Sequence, residues 1–152
     1  MAIYSINRTQ YIKAELPEVW AFFSNPGNLA NITPDYMNFK VTSEPFSGEI
    51  YPGQIITYKV SPLLGIPLSW MTEITSVERL YRFVDEQRMG PYKIWHHQHL
   101  FEKTELGVKM TDIVHYQLPY LWVGDIAHSM FIKKKINSIF DHRCSVISKL
   151  FI

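Results

Sequence analysis

Residues 83–119 read FVDEQRMGPYKIWHHQHLFEKTELGVKMTDIVHYQLP, and this stretch decides the fold. Large apolar residues alternate with polar ones along it, which is the two-residue period of β-strands. Gly90-Pro91 and Gly107 interrupt the alternation at points where a chain can reverse direction. The pattern therefore predicts three antiparallel strands joined by two hairpin turns. These strands are expected at about 80–89, 93–104 and 108–118.

One face of each predicted strand carries large apolar side chains with a few polar groups among them. The side chains predicted to share this inner face are Phe83, Asp85, Gln87, Trp95, His97, His99, Phe101, Asp112 and Tyr116. The opposite face carries mostly charged or polar residues, so we expect it to meet solvent. Trp70 and Tyr58, on the two strands that come before, extend the aromatic inner face.

Further turn signals on both sides of this stretch divide the rest of the chain into strands and helices. Additional strands are predicted at 3–13, 38–46, 54–61 and 67–77. Two short helices are predicted, one beginning at Pro17 and ending at Asn25-Pro26-Gly27, the other from Gly27 to Ile32. Apolar residues spaced by threes and fours over 124–151 predict an amphipathic helix roughly 40 Å long.

A helix of that length with one apolar stripe needs a large concave partner, and the sheet is the only candidate. The predicted fold class is α+β: a seven-stranded curved antiparallel sheet wraps a long C-terminal helix, with two short helices after the first strand. The chain has 152 residues, which fits a single domain over 1–152. We expect this arrangement to enclose a ligand cavity between the sheet and the helix.

Composition and charge narrow the possible partners. Lys+Arg 15 against Asp+Glu 14 gives a formal net charge of +1, so no basic field is expected to attract nucleic acid. Lys133-Lys134-Lys135 is interpreted as a solvated helix face. No secretory signal and no apolar run of about 20 residues is seen, which predicts a cytoplasmic protein without integral membrane association. The single cysteine, Cys144, allows no intrachain disulfide.

The polar members of the inner face, Asp85, Gln87, His97, His99 and Asp112, leave several interpretations open. Buried polar groups are costly unless they hydrogen-bond, so the set is either a self-satisfied network or the polar region of a pocket. A histidine held by a carboxylate can also act as a general base. The Cα atoms of His97 and His99 are expected about 6.6 Å apart on one strand, a spacing that lets both imidazoles reach one metal ion. A His-x-His pair alone is a weak signal, so no metal and no cofactor is predicted.

Several strings in the chain resemble the START-like (SRPBCC) superfamily, whose members share the helix-grip fold. They are LPEVWAFFSNPGNLANITP at 16–34, GIPLSW at 65–70, FVDEQRMGPYKIWHHQHLFE at 83–102, MTDIVHYQLP at 110–119 and IFDHR at 139–143. More narrowly, they resemble a bacterial subgroup labelled polyketide cyclase/dehydrase-like or cell-division-inhibitor-like. The resemblance covers nearly the whole chain. It implies a hydrophobic cavity that holds lipids, polyketides, quinones or hormones.

The function expected from this resemblance and from the inner face is binding of a small hydrophobic or amphipathic ligand. The expected ligand-binding residues are Tyr58, Trp70, Phe83, Asp85, Gln87, Trp95, His97, His99, Phe101, Asp112 and Tyr116. The alternative is a cyclase/dehydratase-type enzyme that uses a His–Asp pair in the same cavity. Its candidate catalytic residues are His97, His99, Asp112 and Asp85. The cell-division label implies a protein partner that the sequence does not identify.

One departure from the resemblance follows the last strand. Similar sequences tend to have a glycine after the proline, whereas this chain reads Pro119-Tyr120-Leu121-Trp122. We expect these bulky residues to narrow or cover one entrance of the cavity.

Overall fold

The computed structural model describes residues 2–62, 64–119 and 126–152, with their side chains except those of 126–129. The strands are β1 (Tyr4–Ile12), β2 (Lys40–Val41), β3 (Ile55–Val60), β4 (Leu68–Glu78), β5 (Arg82–Met89), β6 (Ile94–Thr104) and β7 (Gly107–Gln117). The helices are α1 (Leu16–Phe23), two 3₁₀ segments (Pro26–Ile32 and Asp35–Met37) and α2 (Ile126–Leu150). The strands form one antiparallel sheet in the order β1-β7-β6-β5-β4-β3-β2. The predicted seven-stranded sheet and long C-terminal helix are confirmed.

The hairpin between β6 and β7 lies where Gly107 predicts it. Thr104 pairs with Gly107 across the sheet, so only two residues form the turn. Gly107 has a φ of +125°, and a Cβ atom at this position would collide with the backbone carbonyl of Ile12. Glycine is required here because the end of β1 approaches the start of β7 at backbone contact.

One predicted strand is much shorter in the structure than the sequence suggests. The sequence predicts a strand over 38–46, whereas β2 covers only Lys40–Val41. Asn38 has a φ of 46°, in the left-handed region, and Pro45 lacks the amide hydrogen that a β-ladder needs. These two residues confine regular pairing to the segment between them. The other strand boundaries differ from the prediction by at most two residues.

Helix α2 buries one face against the sheet. Ile132, Ile136, Phe140 and Ile147 are buried along it at the predicted spacing of threes and fours. The first three pack with residues of β1 and β7, and Ile147 packs with the core beneath α1. Leu150, at the end of the helix, is exposed. No helix within the described residues is long and apolar enough to cross a membrane.

Polar side chains connect β1 to α2 beside these apolar contacts. Arg8 forms an ion pair with Asp141, and Gln10 Nε2 donates to the carbonyl oxygen of Cys144 at 2.8 Å. Ile6 is buried on the same face of the strand. The inner face of β1, which the sequence alone does not identify, is therefore the one that carries the even-numbered residues.

Candidate functional site

A cavity of about 480 Å³ lies between the sheet, the 3₁₀ segments and α2. Its volume is within the range of pockets that hold small organic ligands. Most of the lining side chains are aliphatic or aromatic, and Asp85, His97, His99 and Arg143 add a polar region to the wall. Leu64 and Ile66 line the cavity and are themselves exposed, so the cavity reaches the surface beside their loop.

The structure brings most of the sequence-predicted site residues to this cavity. Those that line it are Tyr58, Trp70, Phe83, Asp85, Trp95, His97 and His99. Those that do not are Gln87, Phe101, Asp112 and Tyr116. Tyr120-Leu121-Trp122 lie outside the described residues, so their expected effect on a cavity entrance stays a prediction.

Phe101 and Tyr116 belong to the packed core, which corrects the expectation that they form cavity wall. Phe101 is 1% exposed, and its ring centroid lies 5.4 Å from that of Trp20 on α1. Tyr116 is fully buried and stacks on Tyr4 at 5.5 Å. Both side chains point to the inner side of the sheet, as predicted. Neighbouring side chains fill the space over them, so they have no cavity surface.

Gln87 stabilises a turn and does not contact the histidines. Its Nε2 donates to the carbonyl oxygen of Tyr92 at 2.6 Å, and its Oε1 accepts from the Tyr92 amide at 3.2 Å. This pair of hydrogen bonds closes the connection between β5 and β6. The aromatic ring of Tyr92 lines the cavity, so Gln87 acts on the wall only through that neighbour.

Asp85, His97, His99 and Asp112, named here the Asp–His cluster, are in direct contact. His97 Nε2 lies 2.8 Å from Asp112 Oδ1, and His99 Nε2 lies 2.7 Å from Asp85 Oδ2. The second nitrogen of each ring faces the other carboxylate, with His99 Nδ1 3.1 Å from Asp112 Oδ1. His97 Nδ1 is 3.7 Å from Asp85 Oδ2. Each imidazole therefore bridges both carboxylates.

Strand register assembles this cluster. Asp85 on β5 is the direct partner of His97 on β6, and Asp112 on β7 is the direct partner of His99. Cross-strand and diagonal neighbours on one face are close enough for such side chains to meet. The shortest contacts are the diagonal ones, and the two imidazole centroids are 3.8 Å apart. A slip of one residue in either pairing would put one carboxylate on the face opposite to the histidines.

The two histidines differ in protonation because their surroundings differ. Burial lowers the pKa of His97, and the neighbouring His99 lowers it further. Burial also opposes a charge on His99, but the neighbouring carboxylates of Asp112 and Asp85 outweigh it and raise the pKa of that ring. His97 is accordingly the neutral imidazole, whose Nε2–H donates to Asp112 and whose Nδ1 is a free base.

Arg143 on α2 completes the electrostatics of the cluster. Its Nη1 lies 3.7 Å from Asp112 Oδ1, and its side chain is only 11% exposed. Burial favours the neutral acid, yet Arg143 and the two histidines hold the pKa of Asp112 well below its usual range. The sequence reasoning missed Arg143 as a site residue. Its position could have indicated this role: Arg143 lies three residues after Phe140 and four before Ile147, which places it on the buried stripe of the helix.

Comparison with known proteins supports the architecture of the chain. No protein-family model matches the sequence, and no curated protein matches it. Ms6760 from Mycobacterium smegmatis is similar in structure, with a TM-score of 0.68 and 16% identity over 96% of this chain and 89% of that one. Ginseng major latex-like protein 151 from Panax ginseng has a TM-score of 0.71 and 13% identity over 99% and 98%.

A third similar structure is the di-domain ARO/CYC BexL from the BE-7585A biosynthetic pathway. It has a TM-score of 0.72 and 16% identity over 97% of this chain and 49% of that one. Identities this low establish a common fold and no common activity. The chain therefore shares its fold with these solved structures, and the expected helix-grip arrangement of a seven-stranded sheet around a long C-terminal helix is confirmed.

Proposed function

We propose that the protein binds a small hydrophobic or amphipathic molecule in the cavity between the sheet and α2. The observation that supports this proposal is the 480 Å³ cavity itself, which has an apolar wall and a polar region in one connected space. An apolar ligand body gains free energy by leaving water, at about 25 cal/mol per Å² of buried surface. Arg143 and the Asp–His cluster then favour a ligand that carries one polar end.

The test uses the dye 1-anilinonaphthalene-8-sulfonate, an aromatic molecule with one anionic end. We expect saturable binding by fluorescence titration, with a stoichiometry near one. Ile56 lines the cavity, whereas Ile55, the next residue on β3, is on the outer face and exposed. Ile56→Trp fills part of the cavity, so we expect at least about a fivefold loss of dye affinity. Ile55→Trp adds the same side chain outside and should change the affinity less than about twofold.

The two variants also define the results that contradict the proposal. A wild-type protein that binds no dye overturns it directly. Equal affinities of Ile56→Trp and Ile55→Trp, with both variants folded by circular dichroism, place the dye on the surface and also overturn it.

A second candidate function is enzymatic, of the cyclase or dehydratase type. The observation that favours it is His97, a neutral imidazole in the cavity wall whose Nε2 is held 2.8 Å from Asp112. Such a pair can remove a proton from the carbon next to a ketone, since Asp112 stabilises the imidazolium that forms. The substrate class is then an apolar ketone or polyketone. The similar ARO/CYC structure makes this class the reasonable one to try first.

This candidate predicts proton exchange on 2-tetralone, an apolar ketone with acidic hydrogens. In D₂O the base takes a proton from the carbon, an enolate forms, and deuterium is returned to it. We expect exchange at least about tenfold above buffer by NMR, and loss of that excess in His97→Gln. His96→Gln, on the outer face of the same strand, should retain it. Exchange at the buffer rate with wild-type protein, or equal exchange in both variants, contradicts an enzymatic role for His97.

A further inference from the structure

We infer that Asp85, His97 and His99 form a binding site for a divalent first-row transition-metal ion in the cavity wall. All three side chains line the cavity, and each offers one donor atom within 4.8 Å of the others. Two neutral imidazoles and one carboxylate are a ligand set typical of Zn²⁺, Fe²⁺ and related ions. The inference goes beyond ligand binding and does not depend on the proposed function.

The two donor separations that involve Asp85 need only a small adjustment to hold an ion, and the two imidazole donors lie within 4.8 Å of each other. Ligands about 2.1 Å from a tetrahedral ion are roughly 3.4 Å from one another. Asp85 Oδ2 lies 2.7 Å from His99 Nε2 and 3.7 Å from His97 Nδ1, on either side of that value. A shift of less than about 1 Å by the Asp85 carboxylate brings both separations to the value that tetrahedral coordination needs. The side chain of Asp85 borders the cavity, so it has room to make this shift.

Asp112 lies where the supporting carboxylate of a metal site belongs. Metal-bound histidines usually donate their other ring N–H to a carboxylate, which orients the ring and increases its basicity. His97 Nε2 and His99 Nδ1 both face Asp112 Oδ1, at 2.8 and 3.1 Å. These are the two nitrogens that the ion leaves free. One carboxylate therefore supports both imidazole ligands from the side opposite the cavity.

A buried atom without a partner points in the same direction. His99 Nδ1 has no hydrogen bond of good geometry within the described part of the chain, although Asp112 Oδ1 is 3.1 Å away. While His99 donates from Nε2 to Asp85, a neutral ring has a bare lone pair at Nδ1 facing the Asp112 carboxylate. An ion bound at Nε2 places the proton on Nδ1, which then donates to Asp112. For a neutral His99, metal binding thus resolves an unfavourable contact between two acceptors, as a second proton on the ring also would.

The charges around the site suit a divalent cation. Arg143, 3.7 Å from Asp112, offsets the charge of that carboxylate. What remains is the single negative charge of Asp85 with two neutral imidazoles, as in an ordinary two-histidine, one-carboxylate site. Because the protein supplies three ligands, one coordination position is open to the cavity. A water molecule or an oxygen of a bound ligand can occupy it.

The rival explanation is that His99 carries a proton on both ring nitrogens, because such an imidazolium would also donate to both carboxylates. Metal binding by the wild-type protein distinguishes the two. After treatment with EDTA, we expect Co²⁺ to bind at one equivalent and to produce visible absorption bands of nitrogen and oxygen coordination. Isothermal titration with Zn²⁺ should give the same stoichiometry. A protein that binds neither ion at one equivalent carries the proton, and the inference is overturned.

Variants test whether the ion is held by these residues. We expect His97→Gln and His99→Gln each to lower Zn²⁺ affinity at least about 100-fold, and Asp112→Asn about tenfold as a supporting residue. His96→Gln is the matched control, because the outer face holds its own group of possible ligands. His96 lies 3.7 Å from Glu86, and its ring centroid is 6.3 Å from that of His115. We expect less than about a twofold change in this control.

The pattern of losses decides between the two faces of the sheet. Zn²⁺ binding that survives in His97→Gln and His99→Gln but disappears in His96→Gln assigns the ion to the outer face and overturns the inference. The Co²⁺ spectrum of the wild type does not depend on whether a variant folds. Dye binding without metal binding leaves the proposed function intact, and metal binding without dye binding leaves this inference intact.

Discussion

Replacing Asp112 with Asn is expected to lower the free energy of unfolding by about 3 kcal/mol. Asp112 is 7% exposed and touches both histidines of the cluster and Arg143. An amide keeps the shape but removes the charge, so the buried Arg143 loses the carboxylate that lies 3.7 Å from it. Removing one partner of a buried ion pair is costly for this reason. Urea denaturation of EDTA-treated protein at neutral pH measures the loss, with an unchanged m-value as the check on two-state behaviour.

Three further variants, Asp141→Asn, Arg143→Met and a double variant, give this prediction its controls. Asp141→Asn removes a carboxylate that pairs with Arg8 but is 65% exposed, so we expect a loss below about 1 kcal/mol. The double variant Asp112→Asn/Arg143→Met removes both charges, and its loss should be smaller than the sum of the two single losses. If Asp112→Asn costs no more than Asp141→Asn, the cluster does not depend on the Asp112 charge and the prediction is wrong.

Phe101→Ala is expected to lower the free energy of unfolding by about 4 kcal/mol. Phe101 is 1% exposed and lies between three rings, with centroid distances of 5.4 Å to Trp20, 5.8 Å to Phe23 and 6.0 Å to Phe83. Truncation removes most of these contacts and leaves a void between α1 and the sheet. Because Phe101 does not line the ligand cavity, dye affinity should change little at temperatures where the variant is folded.

Phe131→Ala serves as the control for this prediction. Phe131 is 54% exposed on α2, so we expect a loss below about 1 kcal/mol in the same denaturation experiment. Equal losses in the two variants would contradict the assignment of Phe101 to the core. A large loss of dye affinity in folded Phe101→Ala would show instead that Phe101 lines the cavity.

The alternation of side chains along the strands made much of the fold predictable. Alternation over 83–119 places His97, His99 and Asp112 on one face, and the structure agrees. A two-residue period is a local property of the chain, so it can be read without knowledge of the partner strand. The same applies to α2, whose apolar stripe follows the helical period.

The alternation did not predict which residues of the inner face line the cavity. Phe101 and Trp95 share one face of β6, yet Trp95 lines the cavity and Phe101 is covered by α1. Their difference depends on where a helix lies along the strand, which is a tertiary relation without a local pattern. Likewise, the diagonal contacts in the Asp–His cluster depend on the register of three strands. Arg143 reaches the cluster only through the packing of α2.

The pairing of β1 with β7 has a consequence for how the chain assembles during synthesis. Tyr4 is the partner of Tyr116 and Ile12 of Val108, so the two strands are about a hundred residues apart along the chain. At ribosomal rates of about 5–20 residues per second, β1 waits roughly 5–20 s for β7 to emerge. Contacts between distant residues also slow folding after release. The growing chain therefore carries an unpaired β1, open to chaperones and to other nascent chains, until β7 has left the ribosome.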